Sequence, residues 1–392
     1  MADRRTFVIV GGGLAGAKAA ETLRAEGFEG RLVIVAEEDR LPYERPPLSK
    51  SYMAGESPFS DAVVHDEAFY GERDVELLRD TSAVELDAGA RRVTLSDGGR
   101  LEYDRLLIAT GAVPRRPPIE GAGGERVLTL RSVADADAIK AAVAGGGRLV
   151  IVGAGWIGCE VAASMRGLGA SVTVVEQAGA PLEAVLGPQL GAFFGELHRS
   201  HGVELLTGAG VERITDGGRG VALAGGRVVE ADAVLLAVGV APATALAESA
   251  GLAVDNGIVV DELLRTSVED VFAAGDVAST QHARYSRRIR VEHWDNAIGQ
   301  GQAAARSMLG RGEPYAKLPY FFTDQYDLGM EYVGLHGRSD ELTIRGSLEE
   351  RNFRAYWTAG DGHVTAAMHV NDWDTIDPMR ELVETGGAVP TA

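Results

Sequence analysis

A single cysteine, Cys159, stands in a chain of 392 residues. This excludes an intrachain disulfide, a Cys-x-x-Cys redox pair and any cysteine-held zinc or iron–sulfur cluster. Any redox chemistry must therefore come from a bound cofactor, and no metal site is expected. Positive charge is short as well: 38 Lys and Arg against 57 Asp and Glu leave a formal net charge of −19. Neutralising phosphates needs Lys and Arg, so nucleic acid is not an expected partner. No uncharged apolar run reaches about 18 residues, and the apolar start Thr6-Phe7-Val8-Ile9-Val10 runs straight into glycines instead of a signal-type apolar core. No membrane segment is expected, and the chain reads as cytoplasmic. What remains is an ordinary globular composition, 45% hydrophobic and 24% charged. At roughly 100–200 residues per domain it predicts two or three domains.

Glycine is plentiful, at 51 residues, and its placement carries the information. The run Thr6–Val10 suits a buried parallel strand; Gly11-Gly12-Gly13-Leu14-Ala15-Gly16 follows, then an Ala-rich helical stretch from Ala17 to Glu26. A second apolar run, Leu32-Val33-Ile34-Val35, leads to Glu37, about 20 positions beyond the last glycine, where an acid would meet a ribose hydroxyl. The same unit recurs. Arg148–Val152 leads into Gly153-Ala154-Gly155-Trp156-Ile157-Gly158, a helix from about Cys159 to Leu168, and a strand Ser171–Val175 ending at Glu176. Each copy predicts a dinucleotide site, because glycines let the backbone approach a pyrophosphate and the helix N-terminus offers free N–H groups. A second copy kept only for packing is the alternative, against which both acids and both third glycines stand intact.

Further segments make a resemblance specific: Leu41-Pro42-Tyr43-Glu44-Arg45-Pro46-Pro47-Leu48-Ser49-Lys50, Ala109-Thr110-Gly111, Val271-Phe272-Ala273-Ala274-Gly275-Asp276 and Val291-Glu292-His293-Trp294-Asp295-Asn296-Ala297. From about residue 5 to 335 the chain resembles the FAD-dependent NAD(P)H:ferredoxin or rubredoxin reductases of oxygenase systems, the putidaredoxin reductase-like family related to apoptosis-inducing factor. The resemblance implies an α/β fold with two Rossmann-like dinucleotide-binding domains, for FAD and NAD, plus a small α+β C-terminal domain. It implies an FAD domain at 1–116 and 245–317, an NAD domain at 117–244 and a C-terminal domain at 318–392. Pro114-Arg115-Arg116-Pro117-Pro118 and the strand-and-turn Ala237–Pro242, with Gly239, punctuate the seams, and alternation at 342–346 and 353–357 suggests a small antiparallel sheet.

Site roles follow from the resemblance. Gly11, Gly13, Gly16, Glu37, Arg45, Ala109, Thr110, Gly111, Arg131 and Asp276 would bind FAD, with Arg45 and Arg131 open to a plain surface reading and Asp276 to that of a turn residue. Gly153, Gly155, Ile157, Gly158, Glu176 and Gly239 would bind NADH; after Glu176, Gln177-Ala178-Gly179 offers no arginine for the 2′-phosphate of NADPH. Lys50 and Glu160 would pair beside the flavin N5 and the nicotinamide carboxamide, the cation favouring the charge gained on reduction and the carboxylate orienting the amide for hydride transfer. Two solvated charges are the alternative. Trp294 would shield the flavin ring or serve as a core tryptophan; His293 reads as structural, and Cys159 as a small core residue.

The expected activity is that of a ferredoxin--NAD(+) reductase: NADH gives a hydride to FAD, and electrons leave singly to a ferredoxin or rubredoxin that supplies an oxygenase. An NADH oxidase-like flavoprotein and an NADH-sensing FAD protein are the alternatives. Arg284, Arg287, Arg288 and Arg290 are expected to form a basic docking patch for the acidic partner, or else a solvated loop.

Overall fold

The computed structural model describes residues 4–391. The chain divides into two compact units. One takes the chain as far as Glu44, then Ala62–Val113 and Ala241–Phe321; the other takes Arg45–Asp61, Pro114–Val240 and the chain from Phe322 onward.

In the first unit the opening apolar run forms strand Thr6–Val10. It is the centre of a five-stranded parallel sheet, flanked by Arg105–Ile108 and Arg31–Val35, with Val271–Ala273 and Val75–Leu78 at the edges. Phe7, Val8 and Ile9 are wholly buried, because a parallel strand covered on both faces needs a continuous apolar run instead of alternation. Helix Leu14–Ala25 follows the glycine turn and packs on helix Trp294–Met308. Their approach is close: a Cβ on Gly301 would lie 2.4 Å from the Ala15 carbonyl oxygen.

The second unit repeats this plan. Strand Arg148–Val152 is central, flanked by Ser171–Val175 and Ala233–Leu236, with Glu204–Leu206 and Val127–Leu128 outside them. Each unit also carries a three-stranded antiparallel meander, Ala83–Asp87, Arg92–Leu95 and Arg100–Glu102 in the first and Val211–Thr215, Gly220–Leu223 and Val228–Glu230 in the second. The C-terminal part is a five-stranded sheet in the order Tyr320–Gln325, Leu328–Gly334, Val364–Val370, Asn352–Thr358, Glu341–Ser347. Helix Ile376–Thr385 packs on its Leu328–Gly334 and Val364–Val370 strands. The alternation at 342–346 and 353–357 pairs as expected, with Leu342 opposite Trp357 and Ile344 opposite Ala355.

Both glycine-turn helices begin earlier than expected, at Leu14 and Trp156 instead of Ala17 and about Cys159. Only the first two glycines of each motif make the turn; the third already lies in the first helical turn. No helix among the described residues is long and apolar enough to cross a membrane, and none of their His, Cys, Asp and Glu residues form a metal-holding group of three or more.

The close helix contact yields a stability test. Gly301→Ala should destabilise the protein by about 2 kcal/mol through overpacking, read as a lower urea midpoint. Gly71→Ala, in helix Glu67–Glu72 where a Cβ would meet nothing within 4 Å, should instead raise stability by about 0.5 kcal/mol. Equal midpoints would show that the helix contact is not limiting.

Candidate functional site: two cradles and a buried ion pair

In the first motif Gly11 has φ +130°, and a Cβ there would lie 2.2 Å from the Ala109 carbonyl oxygen. A Cβ on Gly16 would lie 2.1 Å from the Gly11 carbonyl oxygen, yet one on Gly13 would meet nothing within 4 Å. The second motif has the same three values in kind: Gly153 at φ +103° with 2.5 Å to Ala237, Gly158 with 2.2 Å to Gly153, and Gly155 in open space. The outer glycines are thus demanded by the protein's own backbone, and the middle one is not. What the middle glycine leaves open is the N-terminus of a 12-residue helix, with no side-chain cap and no acid in its first turn in either copy. Uncapped N–H groups, the positive end of the helix and room for close approach fit a pyrophosphate.

The acids of the two copies differ. Glu37 is exposed just beyond strand Arg31–Val35, while its neighbour Glu38 accepts from the Tyr43 hydroxyl at 2.6 Å. Glu176 is clamped: its two oxygens accept from the backbone N–H groups of Ala154, inside the glycine turn, at 2.7 Å and of Ala178 at 2.8 Å. Around the first cradle, the turn Ala109-Thr110-Gly111 places its Ala109 carbonyl over Gly11, and Thr110 Oγ1 donates to Ala243 O at 2.8 Å. Asp276 is half-buried after strand Val271–Ala273, and Trp294 opens helix Trp294–Met308. Next to it His293 caps the helix with its ring 4.7 Å from that of Phe321. Burial, opposed by Asp276 and Asp295, pushes His293 down to about 4, and its buried Nδ1 has no hydrogen-bond partner. A histidine held neutral by burial carries no spare proton to donate as an imidazolium at neutral pH.

In the second unit Gly239 has φ +88°, and its carbonyl accepts from the Arg115 N–H at 2.9 Å. The Arg45 guanidinium donates to the Arg131 carbonyl, so those two residues are neighbours. Ile157 is exposed at the start of helix Trp156–Gly167. Pro46 and Pro47 open the short 3-10 turn Pro46–Ser49, and Lys50 follows it. Lys50 Nζ lies 2.8 Å from Glu160 Oε2, with 12% and 5% of the two side chains exposed. Ser49 Oγ donates to the same oxygen at 2.5 Å, and Thr323 Oγ1 donates to Oε1 at 2.7 Å. The two charges are therefore a buried, hydrogen-bonded pair and not solvated. Burial is costly unless every lone pair finds a donor, and here both carboxylate oxygens do. Lys50 Nζ also sits 5.3 Å from the Phe322 ring centroid. Cys159, one residue before Glu160, is buried, and desolvation raises its thiol far above the ordinary range, so it is no nucleophile.

The four-arginine stretch is not one free basic patch. Strand Arg287–Ile289 pairs with Ala278–His282, and Arg288 turns inward to donate to the carbonyls of Val260, at 3.0 Å, and Ser279. Arg290 donates to the Asp276 carbonyl at 3.1 Å and pairs with Glu292 at 2.5 Å. Only Arg284 and Arg287 of the four are exposed. The Thr323 hydroxyl on Glu160 was not foreseen, since no local motif links residues 163 positions apart.

Residues 5–301 match the model of the pyridine nucleotide-disulphide oxidoreductase family, and residues 320–392 match the reductase C-terminal model. The chain belongs to the pyridine nucleotide-disulphide oxidoreductase family. It is 39% identical to the ferredoxin reductase subunit of the 5,5′-dehydrodivanillate O-demethylase of a Sphingobium species, over 97% of this chain and 94% of that protein. It is 37% identical to the ferredoxin--NAD(+) reductase component of the anthranilate 1,2-dioxygenase system of Burkholderia cepacia, over 98% and 95%. Among solved structures, the covalent putidaredoxin reductase–putidaredoxin complex superposes with a TM-score of 0.93 at 34% identity, covering 97% of this chain and 93% of that one. The family's name refers to a disulfide that this chain cannot form with its one cysteine; the two dinucleotide cradles are what it shares, and its cofactors are FAD and NADH.

The open middle glycines separate the two cradles experimentally. Gly13→Val should leave the fold intact and yield protein without bound FAD. Gly155→Val should keep FAD and weaken NADH binding by at least about tenfold, or 1.4 kcal/mol. Calorimetry and the visible spectrum of the purified variants check both; FAD retained by Gly13→Val would remove it from the first cradle.

Proposed function

We propose that the chain is an NADH-dependent flavoprotein reductase that delivers electrons to a small iron–sulfur protein, a ferredoxin or rubredoxin, which in turn supplies an oxygenase. The observation that carries this is the pair of built dinucleotide cradles in a chain whose single thiol is buried and inert. FAD, when bound, takes up a hydride and releases its electrons one at a time, which joins a two-electron donor to a one-electron acceptor. The relatives' names point to the same acceptor class. An NADH oxidase and an NADH-sensing protein are the competing readings. NADH-dependent cytochrome c reduction that requires an added ferredoxin supports the first reading; oxygen consumption without ferredoxin, or slow reduction with a persistent NAD complex, would favour the others.

Within this reading we assign roles to named residues. Gly11, Gly13 and Gly16 cradle the FAD pyrophosphate and Glu37 its adenosine ribose, with Arg45, the turn Ala109-Thr110-Gly111, Arg131, Asp276 and Trp294 as further FAD contacts. Gly153, Gly155, Ile157, Gly158, Glu176 and Gly239 serve NADH. Glu160 orients the nicotinamide amide, and Lys50 offsets the negative charge that develops on reduction. We assign 1–116 with 245–317 to FAD, 117–244 to NAD and 318–392 to the C-terminal domain, noting that Arg45–Asp61 groups with the second compact unit. A cytoplasmic location fits a partner system of this kind.

The clamp on Glu176 refines the choice of variant for coenzyme preference. Arginine there could accept neither the Ala154 nor the Ala178 N–H bond, so a change in coenzyme preference would be mixed with loss of the clamp. Glu176→Gln removes the charge and keeps one of the two acceptor oxygens, leaving one of the Ala154 and Ala178 N–H groups without its bond; NADH should be preferred by at least about tenfold in the wild type, with the gap closing mainly through better NADPH use in the variant. Steady-state kcat/KM for both nucleotides measures it; an unchanged ratio would move the discrimination elsewhere.

A further inference from the structure

Glu160 ends a chain of buried side chains that the assigned roles leave unused. Thr323 Oγ1 is 2.7 Å from Glu160 Oε1, Gln325 Nε2 is 3.2 Å from Thr323 Oγ1, His198 Nε2 is 3.0 Å from Gln325 Oε1, and the Tyr326 hydroxyl is 3.0 Å from His198 Nδ1. Glu160, Thr323, Gln325 and His198 are all buried, and every member belongs to the second unit. They come from three elements: helix Trp156–Gly167, helix Pro188–Ser200 and the end of strand Tyr320–Gln325 with its turn.

We propose that Thr323, Gln325 and His198 are positioning residues, a relay that fixes the plane of the Glu160 carboxylate for hydride transfer; this rests on Glu160 acting in that step. The donor direction follows from the carboxylate end. An ionised carboxylate only accepts, so the Thr323 hydroxyl must donate to it. With its one hydrogen committed, Thr323 accepts from the Gln325 amide nitrogen. That orients the amide, whose oxygen accepts from His198 Nε2–H. His198 Nδ1 is then an acceptor, and the Tyr326 hydroxyl donates to it. One tautomer of His198 and one flip of Gln325 satisfy all four bonds together. Burial, opposed by the Gln325 bond and aided by nearby His201, pushes His198 down to about 4, so the imidazole stays neutral at neutral pH and can keep that tautomer.

The far end of the relay has its own signature. Tyr326 has φ +58°, a left-handed backbone that favours glycine and strains a bulky residue. Its ring stacks on His201 at 3.7 Å, and its hydroxyl reaches His198. The turn thus holds a tyrosine in a glycine conformation, with its side chain fixed at both ring and hydroxyl. At the near end, Ser49 and Lys50 hold Glu160 Oε2, and Thr323 holds Oε1. Both oxygens are thereby placed before any nucleotide arrives, which is preorganisation in the strict sense.

The test uses FAD-loaded protein in stopped flow with NADH, together with nitrogen NMR of histidine-labelled protein. Thr323→Val should slow flavin reduction about tenfold, as expected for one lost hydrogen bond to a charged acceptor, and Thr323→Ser should restore it. Gln325→Leu should slow it in the same direction and carries the comparison if Thr323→Val does not fold. On a Glu160→Gln background, Thr323→Val should add no further slowing. His198 in the resting wild type should show a protonated Nε2 and a bare Nδ1. If Glu160→Gln reduces at the wild-type rate, the role of Glu160 falls and the relay with it. If Glu160→Gln is slow but Thr323→Val reduces normally, or its full effect persists on top of Glu160→Gln, the relay alone falls. An Nδ1-protonated His198 would likewise break the donor direction and overturn it.

Discussion

The molecule depends on how closely a helix can be brought to the carbonyl of the turn that precedes it. In both Rossmann motifs the third glycine stands where a Cβ would lie about 2 Å from the carbonyl oxygen of the first, well inside any permitted approach. Removing that side chain seats the helix directly over the strand end. The helix's uncapped N–H groups then face the space left by the middle glycine. Strand, turn and helix are thus one device used twice, each copy starting from the central strand of its own unit's parallel sheet.

A second constraint is electrostatic. Lys50 and Glu160 are almost wholly removed from water, a placement that would destabilise either charge alone by several kcal/mol. The pair is tolerated because Ser49, Lys50 and Thr323 together satisfy both oxygens. Two of those donors are adjacent in sequence, next to a proline-stiffened turn; the third arrives from the C-terminal sheet. The C-terminal part therefore does more than cover apolar surface, since it supplies a donor to the carboxylate.

What was legible in the sequence was local. Strand, glycine turn, helix and acid occur in order within about 30 residues, so each cradle could be read directly from spacing. The helix starts were misplaced because a glycine inside a helix looks like a turn glycine until the facing carbonyl is seen. The pairing of Lys50 with Glu160 came from family resemblance, since nothing in their own segments predicts it. Arg288 and Arg290 read as part of a charge cluster, but Arg288, in a paired strand, donates to the carbonyls of Val260 and Ser279, and Arg290, just past that strand, donates to the Asp276 carbonyl. Thr323, Gln325 and His198 carried no signal at all: their contacts join segments 127 to 163 residues apart, and a threonine, a glutamine and a histidine form no periodic pattern. The clamp on Glu176 was invisible for a related reason, because its partners are backbone N–H groups, which every residue but proline possesses.

The burial of Cys159 has a practical consequence. With its only sulfhydryl sealed inside a helix and held protonated, the described surface offers no thiolate to alkylating reagents, peroxide or a neighbouring molecule's sulfur. A cysteine placed anywhere on that surface would be the sole addressable handle. Spectroscopic labels or crosslinkers could then be attached at one chosen point without first editing the native chain.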